Sequence, residues 1–256
     1  MKKLLSVLLA CVLVLGLAAC GNDKQQNAGN NNQQEEQPVL RMATNAEFPP
    51  YEYYEGDNIV GIDAEVAAAI AEKLGMKLEI EDMAFESTLM ALSTGQTDMV
   101  MAGMTVTEER KENANFSTPY AEGHQVVIVK EDSEIETLDD LQGKKIGVQT
   151  NTTGDIYSTD DFGDEAVERY NKGADAVIAL SQGLIDAVII DLEPAKVFVA
   201  TNDGLKLLET EYATEEYAIA LNKENTELFE KVDGALQELI ADGTVQEIVD
   251  RYINAE

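Results

Sequence analysis

The sequence predicts an α/β fold built as two similar lobes. Strand-like and helix-like hydrophobic patterns alternate from Val39 to Glu256, as expected of helices packed on largely parallel sheets. That stretch is about 218 residues, enough for one large or two modest domains. A helix-to-strand unit also recurs in letters. Ala91-Leu92-Ser93-Thr94-Gly95-Gln96-Thr97-Asp98-Met99-Val100 lines up with Ala179-Leu180-Ser181-Gln182-Gly183-Leu184-Ile185-Asp186-Ala187-Val188, with Ala, Leu, Ser, Gly, Asp and Val coinciding.

Val39 to Thr44 is a short apolar run and reads as a strand. Ile62, Val66, Ile70 and Leu74 recur every four residues, an amphipathic helix that Gly75 stops. Met76, Leu78 and Ile80 alternate with Lys77, Glu79 and Glu81, giving a half-buried strand. Ser87 to Ser93 reads as a helix and 98–103 as a buried strand. Thr107 then fits the N-cap of a helix opening at Glu108. That arrangement gathers free backbone N–H groups, the Thr105 hydroxyl and the Arg110 guanidinium at one spot. Arg takes a carboxylate bidentately and a helix N-terminus favours an anion, so a carboxylate site competes with an ordinary surface ion pair.

The second half repeats the pattern. Lys145 to Gln149 reads as a strand, followed by a polar loop, Thr150-Asn151-Thr152-Thr153-Gly154. Ala174 to Ser181 reads as a helix and Asp186 to Ile190 as a strand. Each repeat ends in polar residues: Gly103-Met104-Thr105 in the first, Asp191 in the second. Two C-terminal helices follow. Leu228, Val232, Ala235, Leu236 and Leu239 stripe one, Asp242-Gly243 breaks it, and Val245, Ile248, Val249 and Tyr252 stripe the next. No strand follows, so both must pack on a sheet already built.

The N-terminus carries Met1-Lys2-Lys3 and an apolar run from Leu4 to Ala19. This is a secretory-signal pattern, too short for the ~20 residues of a membrane span. Leu17-Ala18-Ala19-Cys20-Gly21 resembles the lipobox of bacterial lipoproteins, which implies cleavage before Cys20 and a lipid on its thiol. Residues 1–19 are then the signal and 20–38 a lipidated Cys with an Asn/Gln-rich tether too polar to fold. Cys11 leaves with the signal, so no disulfide forms within the mature chain. Net charge is -31, and loss of Lys2 and Lys3 makes it -33. Such a surface repels nucleic acid and anionic headgroups. No Cys/His metal spacing, nucleophile elbow or phosphate-binding loop is present, so no cofactor or metal is expected. No other apolar run is long enough to span a membrane, and the lipid is the expected sole tie to it.

Several runs then resemble one family over nearly the whole folded length. They are Ala43-Thr44-Asn45-Ala46-Glu47-Phe48-Pro49-Pro50-Tyr51-Glu52-Tyr53, Val60-Gly61-Ile62-Asp63 and Ala102-Gly103-Met104-Thr105-Val106-Thr107-Glu108-Glu109-Arg110. Phe116-Ser117-Thr118-Pro119-Tyr120, Ile190-Asp191 and Tyr217-Ala218-Ile219-Ala220 complete the set. The chain resembles the polar-amino-acid substrate-binding proteins of ABC importers. That resemblance implies a two-lobed fold of the periplasmic-binding-protein type II class, with a ligand cleft between the lobes. Lobe one would be 39–121 plus 218–256, lobe two 125–213, with hinge crossings at 122–124 and 214–217. It further implies a monomeric receptor, not an enzyme, that delivers a polar L-amino acid to a membrane permease from the outer face of the bacterial membrane.

Carried over residue by residue, the resemblance makes Arg110 the clamp for the ligand α-carboxylate, helped by Thr105 and the backbone N–H groups of Thr105 and Thr153, with Thr152 a further ligand-binding residue. Asp191 and the Gly103 carbonyl would hold the α-ammonium, unless Asp191 only caps a helix at Leu192-Glu193-Pro194. Phe48 and Phe85 would sandwich the ligand side chain, against the alternative of ordinary core packing. Gln149 matches a ligand-dependent position. Asn45 stands where relatives often carry an acid, and its amide suits a neutral polar end at least as well as a cationic one. Two other readings remain. One is a cyclohexadienyl-dehydratase-like enzyme with Glu193 or Glu216 as general acid, though the lone His124 joins no catalytic constellation. The other is the ligand-sensing component of a signalling receptor.

Overall fold

The computed structural model describes residues 37–253. The expected signal segment, Cys20 and the tether up to residue 36 lie outside the described residues. The first half builds β1 (Val39–Thr44), β2 (Glu47–Phe48), β3 (Glu52–Glu55), β4 (Asn58–Val60), α1 (Ile62–Lys73), β5 (Lys77–Asp82), α2 (Phe85–Ser93), β6 (Met99–Val100), α3 (Glu108–Asn113) and β7 (Ala114–Phe116). The middle builds β8 (Ala121–Lys130), β9 (Ile146–Gln149), α4 (Thr153–Phe162), β10 (Val167–Tyr170), α5 (Gly173–Ser181), β11 (Ala187–Asp191), α6 (Leu192–Thr201), β12 (Leu205–Leu207) and β13 (Ala213–Tyr217). The chain ends with β14 (Ala220–Asn222), α7 (Thr226–Ala241) and α8 (Thr244–Ile253).

Two large sheets result, as the α/β reading requires. One runs β5-β1-β6-β14-β7, and the other runs β10-β9-β11-β8-β12 with β13 also on β8. β2, β3 and β4 form a small antiparallel sheet. The return strand β14 pairs antiparallel with β6 and β7 in the first sheet. β8 and β13 connect the two lobes as an antiparallel pair, with Ala121 opposite Tyr217 and Gln125 opposite Ala213. Beyond Gln125, β8 continues into the second sheet against β11 and β12.

The recurring sequence unit occupies matching places, as α2 into β6 and α5 into β11. The C-terminal stripes are likewise buried: Val232, Ala235, Leu236 and Leu239 on α7, Val245 and Ile248 on α8. They join the core of α1 and the first sheet. Full burial of the Val, Leu and Ile side chains is worth ~1.5–3 kcal/mol each, which anchors both helices to that core.

Two expected boundaries shift. The strand expected over 98–103 ends its ladder at Val100, and Gly103 then turns the chain at φ 51°. That left-handed conformation suits glycine. A Cβ there would also lie 2.8 Å from the Phe48 ring. The polar loop expected over 150–154 is partly helix, because Thr152 caps α4 and Thr153 is already its first residue. Thr152 accepts the Asp155 N–H at 3.3 Å and donates to the Gln149 carbonyl at 2.8 Å. Thr152→Ala is expected to cost ~0.5–2 kcal/mol of stability, measurable as a lowered midpoint in urea.

Candidate functional site

The end of β6, the start of α4 and the end of β11 meet in one place. Thr107 caps α3 through a bond from the Arg110 N–H at 3.1 Å. This cap points the Arg110 side chain back across the turn, where it is 7% exposed. Its Nη1 donates to the Thr105 carbonyl at 2.9 Å and its Nη2 to the Asn151 carbonyl at 3.1 Å. The guanidinium lies over the Phe85 ring, 5.4 Å from its centre, within cation–π range. Burial lowers the Arg110 pKa, with the charge of Glu215 opposing. Both assigned bonds go to neutral carbonyls, so donors remain for an anion.

Asp191 lies opposite in chemical character. It ends β11 at the N-cap position of α6, yet its side chain makes no cap bond. Oδ2 accepts from Gln125 Nε2 at 2.8 Å, while Oδ1 is buried without a partner. Burial first, then the charge of Glu215, holds this carboxyl well above its ordinary range, with the Gln125 bond opposing. An ammonium arriving at Oδ1 would satisfy the atom and offset the burial penalty.

These groups line a cavity of about 430 Å³, a figure that includes its open mouth. All ten residues expected at the site border it: Asn45, Phe48, Phe85, Gly103, Thr105, Arg110, Gln149, Thr152, Thr153 and Asp191. Thr105 and Thr153 bring their hydroxyls to 3.5 Å across it. Its wall at Asn45 is uncharged: Gln149 Nε2 donates to Asn45 Oδ1 at 2.9 Å, and Asn45 Nδ2 donates to the Met83 carbonyl at 3.0 Å. Phe48 packs against the cores of both sheets. Lys172 and Glu47 add an ion pair between the two sides.

Three polar residues at or beside the cavity escaped the sequence reading. Glu52 and Gln125 line it, and Glu215, on the hinge strand β13, is 5% exposed. Glu215 Oε2 accepts from Thr105 Oγ1 at 3.0 Å and from Gln125 Nε2 at 3.2 Å. The available signal for Gln125 was a polar residue opening the apolar run Val126-Val127-Ile128-Val129.

The acids nominated for an enzyme stand elsewhere. Glu193 pairs with Lys196 at 2.6 Å, and Glu216 is exposed. His124, on β8, sits between Glu122 and Glu211. No His/Cys/Asp/Glu group able to hold a metal occurs among the described residues. No helix among them is long and apolar enough to cross a membrane.

Residues 40–255 match the family model of bacterial extracellular solute-binding proteins, family 3. The chain is 34% identical over 261 residues to the arginine-binding extracellular protein ArtP of Bacillus subtilis strain 168, covering all of both chains. It is 33% identical over 219 residues to ABC transporter arginine-binding protein 1 of Escherichia coli K12, covering 83% of this chain and 90% of that one. The fold superimposes on an ancestral arginine-binding protein bound to glutamine with a TM-score of 0.79 and 39% identity, over 85% of this chain and 98% of the other.

Proposed function

This chain belongs to the bacterial extracellular solute-binding proteins of family 3, and we propose that it is the receptor of an ABC importer, closing on a polar L-amino acid and delivering it to the permease. The observation that carries this reading is the pairing of opposite needs in one cavity. Arg110 has donors to spare for a carboxylate, and Asp191 Oδ1 has no donor of its own. A zwitterion fills both needs, and burying the two charges together keeps each paired.

In this reading Arg110, Thr105, Thr152 and Thr153 take the α-carboxylate, and Asp191 with the Gly103 carbonyl takes the α-ammonium. Phe48 and Phe85 flank the side chain, with Asn45 and Gln149 at its end. Lobe one is 39–121 plus 218–256, lobe two 125–213, and the crossings are 122–124 and 214–217. Contacts from Thr105 to Thr153 and from Arg110 to Asn151 join the two lobes, so a ligand that strengthens them favours the closed population. The protein acts as a monomer outside the membrane, held there by a lipid on Cys20. The relatives named for arginine and the ancestral protein bound to glutamine point to a side chain ending in a guanidinium or an amide. The uncharged Asn45–Gln149 wall is compatible with both.

Calorimetric titration of the ligand-stripped protein with each of the twenty common L-amino acids tests this reading. Saturable binding of one or a few, with the compound recovered chemically intact, is expected. Turnover of the compound would move the assignment to the dehydratase-like class, and failure of all twenty to bind would remove it.

A further inference from the structure

Glu52 is the acid in the cleft that this binding scheme leaves unused. It lies on β3, is 1% exposed, and lines the cavity with Gly103 and Asp191. Neither of its carboxyl oxygens receives a hydrogen bond. Its carboxyl meets that of Asp63, in the first turn of α1. Asp63 is fully buried and already accepts two donors, the Gly103 N–H at 3.0 Å and the Tyr120 hydroxyl at 2.7 Å.

Two buried carboxyls in contact, with no cation paired to either, do not both ionise. The donors decide which one does. Asp63, holding two of them, carries the negative charge. Glu52, holding none, is the one left to retain the proton. The other titratable groups facing the pair are Asp191 from β11, Tyr51 beside β3 and Tyr120 ahead of β8. None of these supplies a positive charge. Burial holds Glu52 well above the ordinary carboxyl range, with Asp63 and Asp191 adding to it, and burial also raises Asp63.

We propose that Glu52 is a further ligand-binding residue, a proton carrier beneath the ammonium subsite that releases its proton to solvent as the cationic end of the ligand arrives. The inference rests on the receptor reading above. The exchange balances: one proton leaves the Glu52 carboxyl, and an N–H of the incoming ammonium donates to the carboxylate left behind. Asp63 keeps its hold on Gly103 throughout, so the Gly103 carbonyl stays aimed at the same subsite. Cation binding lowers the Glu52 pKa in the complex, so the complex holds fewer protons than the free protein. Affinity therefore rises with pH across that window, until the amino group of the ligand itself deprotonates.

The test is calorimetry on the whole protein with L-arginine and L-glutamine, run in phosphate and in Tris, whose ionisation enthalpies differ. The buffer dependence counts protons released. Wild type is expected to release up to about one proton more than Glu52→Gln, whose amide matches the neutral acid in the empty cleft but cannot become the carboxylate that accepts the ammonium, so the variant should also bind more weakly. The pH dependence of affinity should flatten in the same variant. Asp63→Asn removes the charge that retains the Glu52 proton, so its count should fall in the same direction, providing a second reading if Glu52→Gln does not fold. Binding with equal proton counts in wild type and variant overturns the Glu52 assignment alone. Failure of wild type to bind any amino acid overturns the receptor reading and this inference together.

Discussion

Replacing Arg110 with alanine is expected to abolish detectable binding of free amino acids. The guanidinium is almost fully buried, and its two assigned side-chain bonds go to the Thr105 and Asn151 carbonyls. A ligand carboxylate entering the cleft therefore finds its charged partner there or finds none. Leaving a buried charge without its partner costs ~3–5 kcal/mol, which is roughly two to nearly four orders of magnitude in affinity. The variant also loses the bond to Asn151, one of the contacts joining the lobes, so closure is weakened together with recognition. The fold itself should survive, because Thr107 caps α3 through the Arg110 backbone N–H and not through the guanidinium. Calorimetry on the variant, paired with a melting curve without ligand, separates these effects. Unchanged affinity would take Arg110 out of the carboxylate role.

Arg110 was legible in the sequence because everything that places it is local. The cap, the turn at Gly103 and the guanidinium lie within eight residues of one another. The recurring helix-to-strand unit was legible for the same reason, and so were the striped C-terminal helices, whose period is read directly from the letters. The acids were not. Glu215 reaches Thr105 across 110 positions and Gln125 across 90, and Gln125 reaches Asp191 across 66. No local pattern encodes such meetings. They follow from β8 running through the hinge into the second sheet. Glu52 lies inside the run Ala43 to Tyr53, but its meeting with Asp63 depends on the packing of β3 against α1. The first turn of α4 was misread because Thr-rich loops and helix N-caps share a composition. The strand at β6 was read too long because apolar letters continue to Met104 after the glycine has turned the chain.

Asp191→Asn is expected to weaken amino-acid binding on a scale similar to the loss at Arg110, ~3–5 kcal/mol, while leaving the empty protein at least as stable. The two effects have separate causes. Binding falls because the α-ammonium loses a full negative partner at Oδ1. Stability is spared because Asp191 occupies the N-cap position of α6 without making the cap bond, and Asn is as good a cap residue in any case. The sign of the pH effect follows from the raised pKa of Asp191, caused by burial and then by Glu215. A carboxyl whose pKa is higher in the folded than in the unfolded chain favours folding less as pH rises above its unfolded value. The Asn variant carries no such penalty. Its melting temperature without ligand should match that of wild type in acid below the ordinary Asp range and exceed it toward neutral pH. This pattern, gained stability with lost recognition, is what a binding residue held at the expense of the fold produces. A variant that melts below wild type yet binds as tightly would make Asp191 a helix cap and remove it from the site.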